Sequence, residues 1–366
     1  MTRVVHVVVA GELGGAERMV ADLAGGDGGA THAIALVSAN PALRTLFVEA
    51  GARVHDRGPV ADSRLARAGR YLGLTDLDWL TDVLRAERAR IVHVHTFASQ
   101  LLGARAARRV GARLVRSEHS TRVYQHAGWP LSRWSLRRAD AIVAVSAHLA
   151  GVVRARAPEV DARLSVIPNG VDTDRFAPAP PPPPRSPCFE LVALARLDPR
   201  KQLEVAIDAV AAVPRARLTI VGEGSEGPRL RAHVAARRLG ERVRFVGFAS
   251  DPRPHLHAAD AAISSSREEG LGIALLEAMA CGRPVCALPT GGVPEIVRAG
   301  ETGWLASGHS AAALAACVAE AARAPARAVR LGASARAFVL ARHSVHAMRA
   351  AYADVYERAQ RHTSMA

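Results

Sequence analysis

The chain has 366 residues, 49% hydrophobic and 22% charged, so it can bury two domain cores and is not a disordered polymer. Its formal net charge of +14 would suit phosphates, nucleic acid or an anionic membrane. No run of five like charges occurs and acidic residues interrupt the basic clusters, so the excess reads as arginine spread over surface helices, with no nucleic-acid partner.

Val4 to Ala10 is apolar except at His6, the pattern of a buried parallel strand. Glu12 and Glu17 follow at once without a small-residue cleavage site, so a first strand is expected rather than a signal peptide. The turn Gly11-Glu12-Leu13-Gly14-Gly15 and a helix from Ala16 to about Leu23 complete an opening β-loop-α unit. Further strands are expected at Ala33 to Val37, Ile91 to Val94, Arg113 to Arg116, Ala141 to Val145 and Leu164 to Ile167. Helical patterns lie between them at Leu77 to Glu87, Leu101 to Arg109 and Ser132 to Arg138, and Ser146 fits an N-cap. The proline run from Ala177 to Pro187 cannot join a sheet and favours polyproline II. It marks the boundary between a first domain, 1–176, and a second, 188–344, with 177–187 as linker and 345–366 as a terminal helix.

The second half repeats the alternation, with strands at Phe189 to Leu194, Leu218 to Val221, Val243 to Val246, Ala261 to Ser264 and Val285 to Leu288. Helices follow at Ala311 to Ala322, Arg327 to Leu340 and Val345 to Arg358. The fold class is therefore α/β, with two Rossmann-like, doubly wound domains facing each other across a cleft and ligands expected outside the carboxyl ends of the strands. No run reaches the ~20 apolar residues of a membrane span. Cys188, Cys281, Cys286 and Cys317 form no C-x-x-C pair and read as thiols in a reducing cytoplasm.

Chemistry concentrates between Ser264 and Glu295. Glu269 precedes the small-residue loop Gly270-Leu271-Gly272, a helix starts near Ile273, and Glu277 sits eight positions after Glu269. A glycine loop feeding a helix start offers unpaired N–H groups and a positive dipole end to a phosphate. The flanking carboxylates suit sugar or ribose hydroxyls. Arg196 and Lys201 follow the first strand of the second half and can clamp a diphosphate. Lys201 is the single lysine among 48 basic residues, which points to a need for a compact point charge. Gly14 and Gly15 form a tight βα turn, and His119 and His95 stand at the carboxyl ends of first-half strands. Two motifs are set aside: Gly222 to Gly227 fits G-x-G-x-x-G but reads as a tight βα turn, and Asp172-Thr173-Asp174 reads as turn chemistry rather than a metal site.

Glu269 to Ile273 and Glu277 to Val285 resemble the E-x7-E region of family-4 retaining glycosyltransferases of the GT-B fold. Gly14-Gly15-Ala16-Glu17, Ile167 to Asp172, Arg196-Leu197 with Lys201, Val221 to Gly224, and Phe245-Val246-Gly247 agree in order. The resemblance implies that Arg196 and Lys201 bind the donor diphosphate and Glu277 the ribose. It implies that Glu269 with the amides of Gly270, Leu271, Gly272 and Ile273 holds the sugar and phosphate. Val246 and Gly247 would contact the base and His119 would lie near the donor sugar; the Gly14-Gly15 turn, read from its own glycines, could approach the diphosphate or sugar closely. No metal or cofactor is implied, the terminal helix crosses back to the first domain, and attack comes from the front face of the sugar. Departures stand at Ser265, Leu271, Gln202 and His343-Ser344, where proline, phenylalanine, glycine and phenylalanine-serine are common.

The expected activity is transfer of a hexosyl or N-acetylhexosaminyl group, with retention, from a nucleotide-diphospho sugar, UDP favoured. The acceptor is a small-molecule, oligosaccharide or lipid-linked hydroxyl, and the expected setting is cytoplasmic assembly of bacterial surface polysaccharide or glycoconjugate. Alternatives are a natural-product glycosyltransferase of the aminoglycoside type, a non-catalytic nucleotide-sugar-binding subunit, and a GT-B epimerase or phosphorylase. Arg105 to Arg116 and Trp129 to Arg138 mix arginine with tryptophan, and peripheral contact with the inner face of a membrane stands beside a solvated or acceptor-facing surface.

Overall fold

The computed structural model describes residues 2–9, 13–26, 29–37, 40–58, 69, 75–125, 128–179 and 188–361. The turn residues 10–12 and the proline-run residues 180–187 lie outside the described residues. Two compact units form: Met1–Gly170 with Val345–Ala366, and Val171–Ser344.

The first unit is built on seven strands: β1 (Thr2–Val8), β2 (Ala30–Leu36), β3 (Arg53–Asp56), β4 (Ile91–Val94), β5 (Arg113–Glu118), β6 (Ala141–Ala144) and β7 (Leu164–Val166). Their order is β3-β2-β1-β4-β5-β6-β7, and every pairing is parallel. Parallel strands covered on both faces need apolar residues throughout, as Val4, Val5, Val7, Val8, Ile34, Val92 and Val94 provide. The edge strand β3 reads Arg-Val-His-Asp and exposes half its residues, so it has no apolar signature. The helix Phe97–Val110 starts four residues before its apolar pattern does, because Ser99 Oγ accepts from the Thr96 N–H at 2.9 Å and stabilises the first turn.

One face of this sheet is polar. His6 lies opposite His93 in the β1–β4 register, and side chains two residues apart on a strand share a face. His6, His32, His93, His95, Ser117 and His119 therefore line the same side. The terminal helix Val345–Arg361 supplies the matching polar groups: Tyr356 Oη is 2.8 Å from His93 Nδ1, and Tyr352 Oη is 2.8 Å from Ser117 Oγ. Arg349 Nε also donates to the Asp22 carbonyl at 2.7 Å. Deeper in, Arg116 is fully buried against Glu118 and donates to Ser132 O at 2.8 Å and Ser132 Oγ at 2.7 Å, so the pair is hydrogen-bonded as burial of charge requires.

The second unit carries β8 (Phe189–Leu194), β9 (Ala216–Val221), β10 (Val243–Gly247), β11 (Ala261–Ser264), β12 (Val285–Ala287) and β13 (Gly303–Leu305). All are parallel, in the order β10-β9-β8-β11-β12-β13. This is the doubly wound order in which the chain reverses direction between its first and fourth strands. Leu191, Ala193, Leu218, Ile220 and Ile263 pack with Ile207, Val210, Leu314 and Val318 from the helices Leu203–Ala211 and Ala311–Arg323. The stretch Val171 to Ala177 is held by second-unit groups: Arg336 Nη1 donates to Phe176 O at 3.0 Å and His257 Nε2 to Ala177 O at 2.8 Å. Asp172 Oδ1 accepts from the N–H groups of Asp174 at 3.1 Å and Arg175 at 2.9 Å, the turn chemistry expected of that Asp-Thr-Asp run.

Burial holds the rings of His6, His93 and His95 well below the ordinary value of 6.5, and those of His32 and His119 at about 4. The unfolded chain takes up protons as pH falls through 6.5, and the folded chain does not until about 4 at His32 and His119. Stability is thus complete above about 6.5 and is lost on acidification, at about 1.4 kcal/mol per pH unit for each ring. The denaturation midpoint of the transition that includes Tyr352 and Tyr356 should fall steadily between pH 7 and pH 5. A midpoint flat across that interval would contradict the buried, neutral imidazoles.

Candidate active site

The second unit gathers its chemistry where β8 and β11 lie side by side and their chain connections diverge. Arg196 leaves the carboxyl end of β8, and the short turn Pro199–Lys201 follows, capped by Asp198 Oδ1 accepting from the Arg200 N–H at 2.9 Å. Asp198 Oδ2 also accepts from Arg196 Nε at 3.1 Å and Arg200 Nη2 at 2.7 Å. Burial alone would raise the Asp198 carboxyl; the Arg200 hydrogen bond and charge, with Arg196 beyond, outweigh it and hold the group below its usual range.

Lys201 reaches across to the loop after β11, where its Nζ donates to Glu269 Oε2 at 2.6 Å. Both side chains keep about a fifth of their surface, at 24% and 18% exposure, so the pair is open to an arriving ligand. Two further bonds tie these loops together: Ser265 Oγ donates to Lys201 O at 2.9 Å, and Arg267 N to Arg200 O at 2.8 Å. Ser265, which stands where proline is common, therefore supplies a strap that proline would lack. Gln202 adopts φ 43°, in the left-handed region where glycine is favoured, which explains the glycine usual at that place.

Glycines let the backbones meet. A Cβ on Gly222 would lie 2.0 Å from Ala195 O, and one on Gly224 2.4 Å from Leu197 O. The Leu197 N–H donates to Glu223 O at 2.8 Å and the Glu226 N–H to Leu197 O at 2.9 Å. The G-x-G-x-x-G turn after β9 is thus a clamp on the loop that carries Arg196. Gly291 plays the same part after β12: its φ is 56°, a Cβ there would meet Glu269 O at 2.0 Å, and the neighbouring Gly292 N–H donates to that oxygen at 3.1 Å.

Gly272, at φ 101°, turns the chain into the helix Ile273–Ala280. Leu271 is buried and anchors the loop, which leaves the first-turn N–H groups at the strand's carboxyl end. Glu277 lies one turn in and is 9% exposed. Val246 and Gly247 end β10, where Gly247 O accepts from the Gly222 N–H at 2.7 Å, and Val246 and Phe248 are exposed at 36% and 56%. Arg200, Asp198, Ser265, Gly291 and His309, whose Nδ1 lies 3.4 Å from Thr290 Oγ1, join the residues that sequence reasoning named. Asp198 and Arg200 were visible as neighbours of Lys201; Gly291 and His309 depend on which loops the sheet brings together.

The first unit has its own divergence, between β1 and β4. Gly14, extended at φ −142°, caps the helix Gly15–Ala24, and Glu17 Oε2 would lie 3.0 Å from a Cβ placed on it. His95 follows β4 and His119 follows β5, their rings joined at 3.3 Å from Nδ1 to Nε2. Desolvation pushes His119 down to about 4, against the opposing charge of Glu118. Among the described residues, the one group of three or more metal-binding side chains close enough for an ion is His6, His93 and His95; none includes Glu269, Glu277 or Asp198.

Two family models match: Glycosyltransferase Family 4 over residues 13–175 and Glycosyl transferases group 1 over residues 183–338. The chain is 31% identical over 306 residues to a glycogen synthase of Mycobacterium tuberculosis, covering 78% of this chain and 71% of that one. It is 35% identical over 289 residues to a GDP-mannose-dependent alpha-(1-6)-phosphatidylinositol monomannoside mannosyltransferase of Mycolicibacterium smegmatis, covering 69% and 74%. The fold is that of Anabaena HepE, solved in complex with UDP-glucose, at a TM-score of 0.85 and 22% identity over 98% of this chain and 100% of that one. The chain belongs to family 4 of the glycosyltransferases and has their GT-B architecture.

Proposed function

We propose that the chain moves a hexosyl or N-acetylhexosaminyl group from a nucleotide-diphospho sugar to an acceptor hydroxyl, with retention, in the cytoplasmic assembly of bacterial surface polysaccharide or glycoconjugate. One observation carries the proposal: Lys201 and Glu269 meet at 2.6 Å where β8 and β11 diverge, beside a glycine-started helix and two arginines. Cations and helix N–H groups at that place suit a diphosphate, and the carboxylates suit hydroxyls.

The donor phosphates take over Arg196, Arg200 and Lys201 from Asp198 and Glu269. Glu269, released, accepts from sugar hydroxyls; Glu277 accepts from the ribose; Val246 and Gly247 meet the base; Gly270 to Ile273 present their amides. His119 is assigned the donor sugar, as the family resemblance implies, and the tight Gly14-Gly15 turn the diphosphate or sugar, because glycine permits close approach. The acceptor oxygen attacks the anomeric carbon on the face from which the diphosphate departs. The C–O(phosphate) bond breaks, the new C–O bond forms, and the acceptor proton passes to a diphosphate oxygen. Fixed cations stabilise the charge that grows on the leaving group, so no metal is required.

A uridine diphosphate sugar is favoured. A relative 35% identical is named for GDP-mannose, so both bases belong in the assay. The relatives' names cover glycogen synthesis and transfer to a lipid-linked mannoside, which supports a sugar-bearing acceptor in either soluble or lipid-linked form. Among the described residues no helix is long and apolar enough to cross a membrane. Peripheral contact is assigned to the helix Trp129–Arg138, where the Arg138 guanidinium lies 4.2 Å over the Trp134 ring.

A transfer screen over UDP-, GDP-, ADP- and dTDP-sugars should find one productive base, with NMR of the product showing the donor's anomeric configuration; inversion would overturn the mechanism. Lys201→Ala and Glu277→Ala should each lower transfer by at least about 100-fold without changing the far-UV spectrum, and full activity in either variant would contradict the site. Gly291→Ala should push on the Glu269 carbonyl, lower the melting temperature and reduce turnover, because overpacking against backbone costs roughly 1–3 kcal/mol. Activity should survive exhaustive EDTA treatment; restoration by a divalent ion after loss would refute metal-free catalysis.

A further inference from the structure

The polar face of the first unit's sheet holds more histidine than His119 alone requires. Nitrogen to nitrogen, His32 Nδ1 lies 2.9 Å from His6 Nε2, His6 Nδ1 lies 3.1 Å from His95 Nε2, and His95 Nδ1 lies 3.3 Å from His119 Nε2. Each contact joins the Nδ1 of one ring to the Nε2 of the next. The rings climb from the body of β2, through β1, to the residues just past β4 and β5, at the carboxyl end of the sheet.

That polarity has a strict consequence. A neutral imidazole carries one N–H and one lone pair. If two successive rings chose different nitrogens, their contact would set two hydrogens or two lone pairs against each other. Only two arrangements satisfy all three contacts: every ring protonated at Nδ1, or every ring protonated at Nε2. Burial keeps the rings neutral, reinforced at His6 and His95 by repulsion from neighbouring histidines; Arg349 does the same at His32, and Glu118 opposes it at His119. His93 stands beside this row but outside it, bonded at Nδ1 to Tyr356 Oη and at Nε2 to Ser117 Oγ, both at 2.8 Å.

We propose that His32, His6, His95 and His119 form one imidazole relay locked in a single shared tautomer, so that His32, His6 and His95 are positioning residues that decide which nitrogen of His119 bears the proton. The relay rests on the contacts alone; its value to catalysis rests on the assignment of His119 to the donor sugar. A donor hydroxyl would meet either an N–H or a lone pair at His119, according to a choice made three rings away. Four histidines, on or just past four strands, can then be tuned by sequence changes remote from the substrate.

Both ring nitrogens of His6, His93 and His95 are already paired, so a metal ion held by these three would have to displace one contact of each ring, and metal binding and the relay are alternatives.

The test is imidazole nitrogen NMR of the 15N-histidine-labelled full chain at pH 7.5, where Nδ1-protonated and Nε2-protonated rings have distinct shift pairs. Wild-type His32, His6, His95 and His119 should all report the same protonated nitrogen; any one of the four reporting the other nitrogen overturns the relay, and this needs no variant to fold. In His6→Phe, His95 and His119 should shift toward a mixture of the two forms while His93 keeps its own. His119 shifts unchanged in His6→Phe also overturn it. Stoichiometric zinc uptake by the metal-free wild-type protein, lost in His6→Phe, would replace the relay with a metal site. In transfer assays, His6→Phe should lower kcat by about tenfold with donor KM within about twofold. A shared tautomer with an unchanged kcat would leave the relay standing and remove its catalytic role, which separates failure of the relay from failure of the His119 assignment.

Discussion

The ion pair between Lys201 and Glu269 joins the two loops on which the second unit's site depends. The doubly wound order makes it possible: β8 and β11 are neighbours whose connections leave on opposite sides, so the loops past their carboxyl ends face each other over an open notch. A compact ammonium on a flexible stem spans that notch, and arginine's planar fork would not substitute for it. The pair is half-open rather than buried, so its contribution to stability is small, and a phosphate can displace the carboxylate without stranding a charge in the core. The carboxylates of Asp198 and Glu269 hold the three cations in place, and under the proposed function a donor phosphate takes their part.

Holding those loops still falls to backbone contacts more than to side chains. Gly222, Gly224 and Gly291 are each pressed against a carbonyl of a neighbouring loop, at distances no Cβ would tolerate. The G-x-G-x-x-G run seats Ala195 and Leu197 on either side of Arg196. The first unit solves its own problem differently. There the sheet face under the terminal helix is polar, and histidine, serine and tyrosine pair with one another where an apolar layer would be usual.

Much of this was legible in the chain. Long apolar runs such as Val4 to Ala10 and Phe189 to Leu194 announce buried parallel strands, and the rarity of lysine singled out Lys201. Element edges were less so. β3 has four residues with no apolar alternation, and β13 has three, so tertiary pairing rather than local pattern makes them strands. The histidine row was visible only as scattered residues, because its contacts depend on the register of β1, β2, β4 and β5, which periodicity does not encode. Arg200, beside Lys201, carries no signal in an arginine-rich sequence; its part emerges from its guanidinium on Asp198.

The central claim is that the notch past β8 and β11 is built for a diphosphate. Calorimetric binding of UDP, GDP and their parent nucleosides to the wild-type chain and to Lys201→Gln measures this without any acceptor. The account predicts that one nucleoside diphosphate binds at least about 100-fold tighter than its nucleoside, and that the advantage shrinks to about tenfold or less in Lys201→Gln. A diphosphate that binds no better than its nucleoside, or an advantage untouched by the substitution, would contradict it.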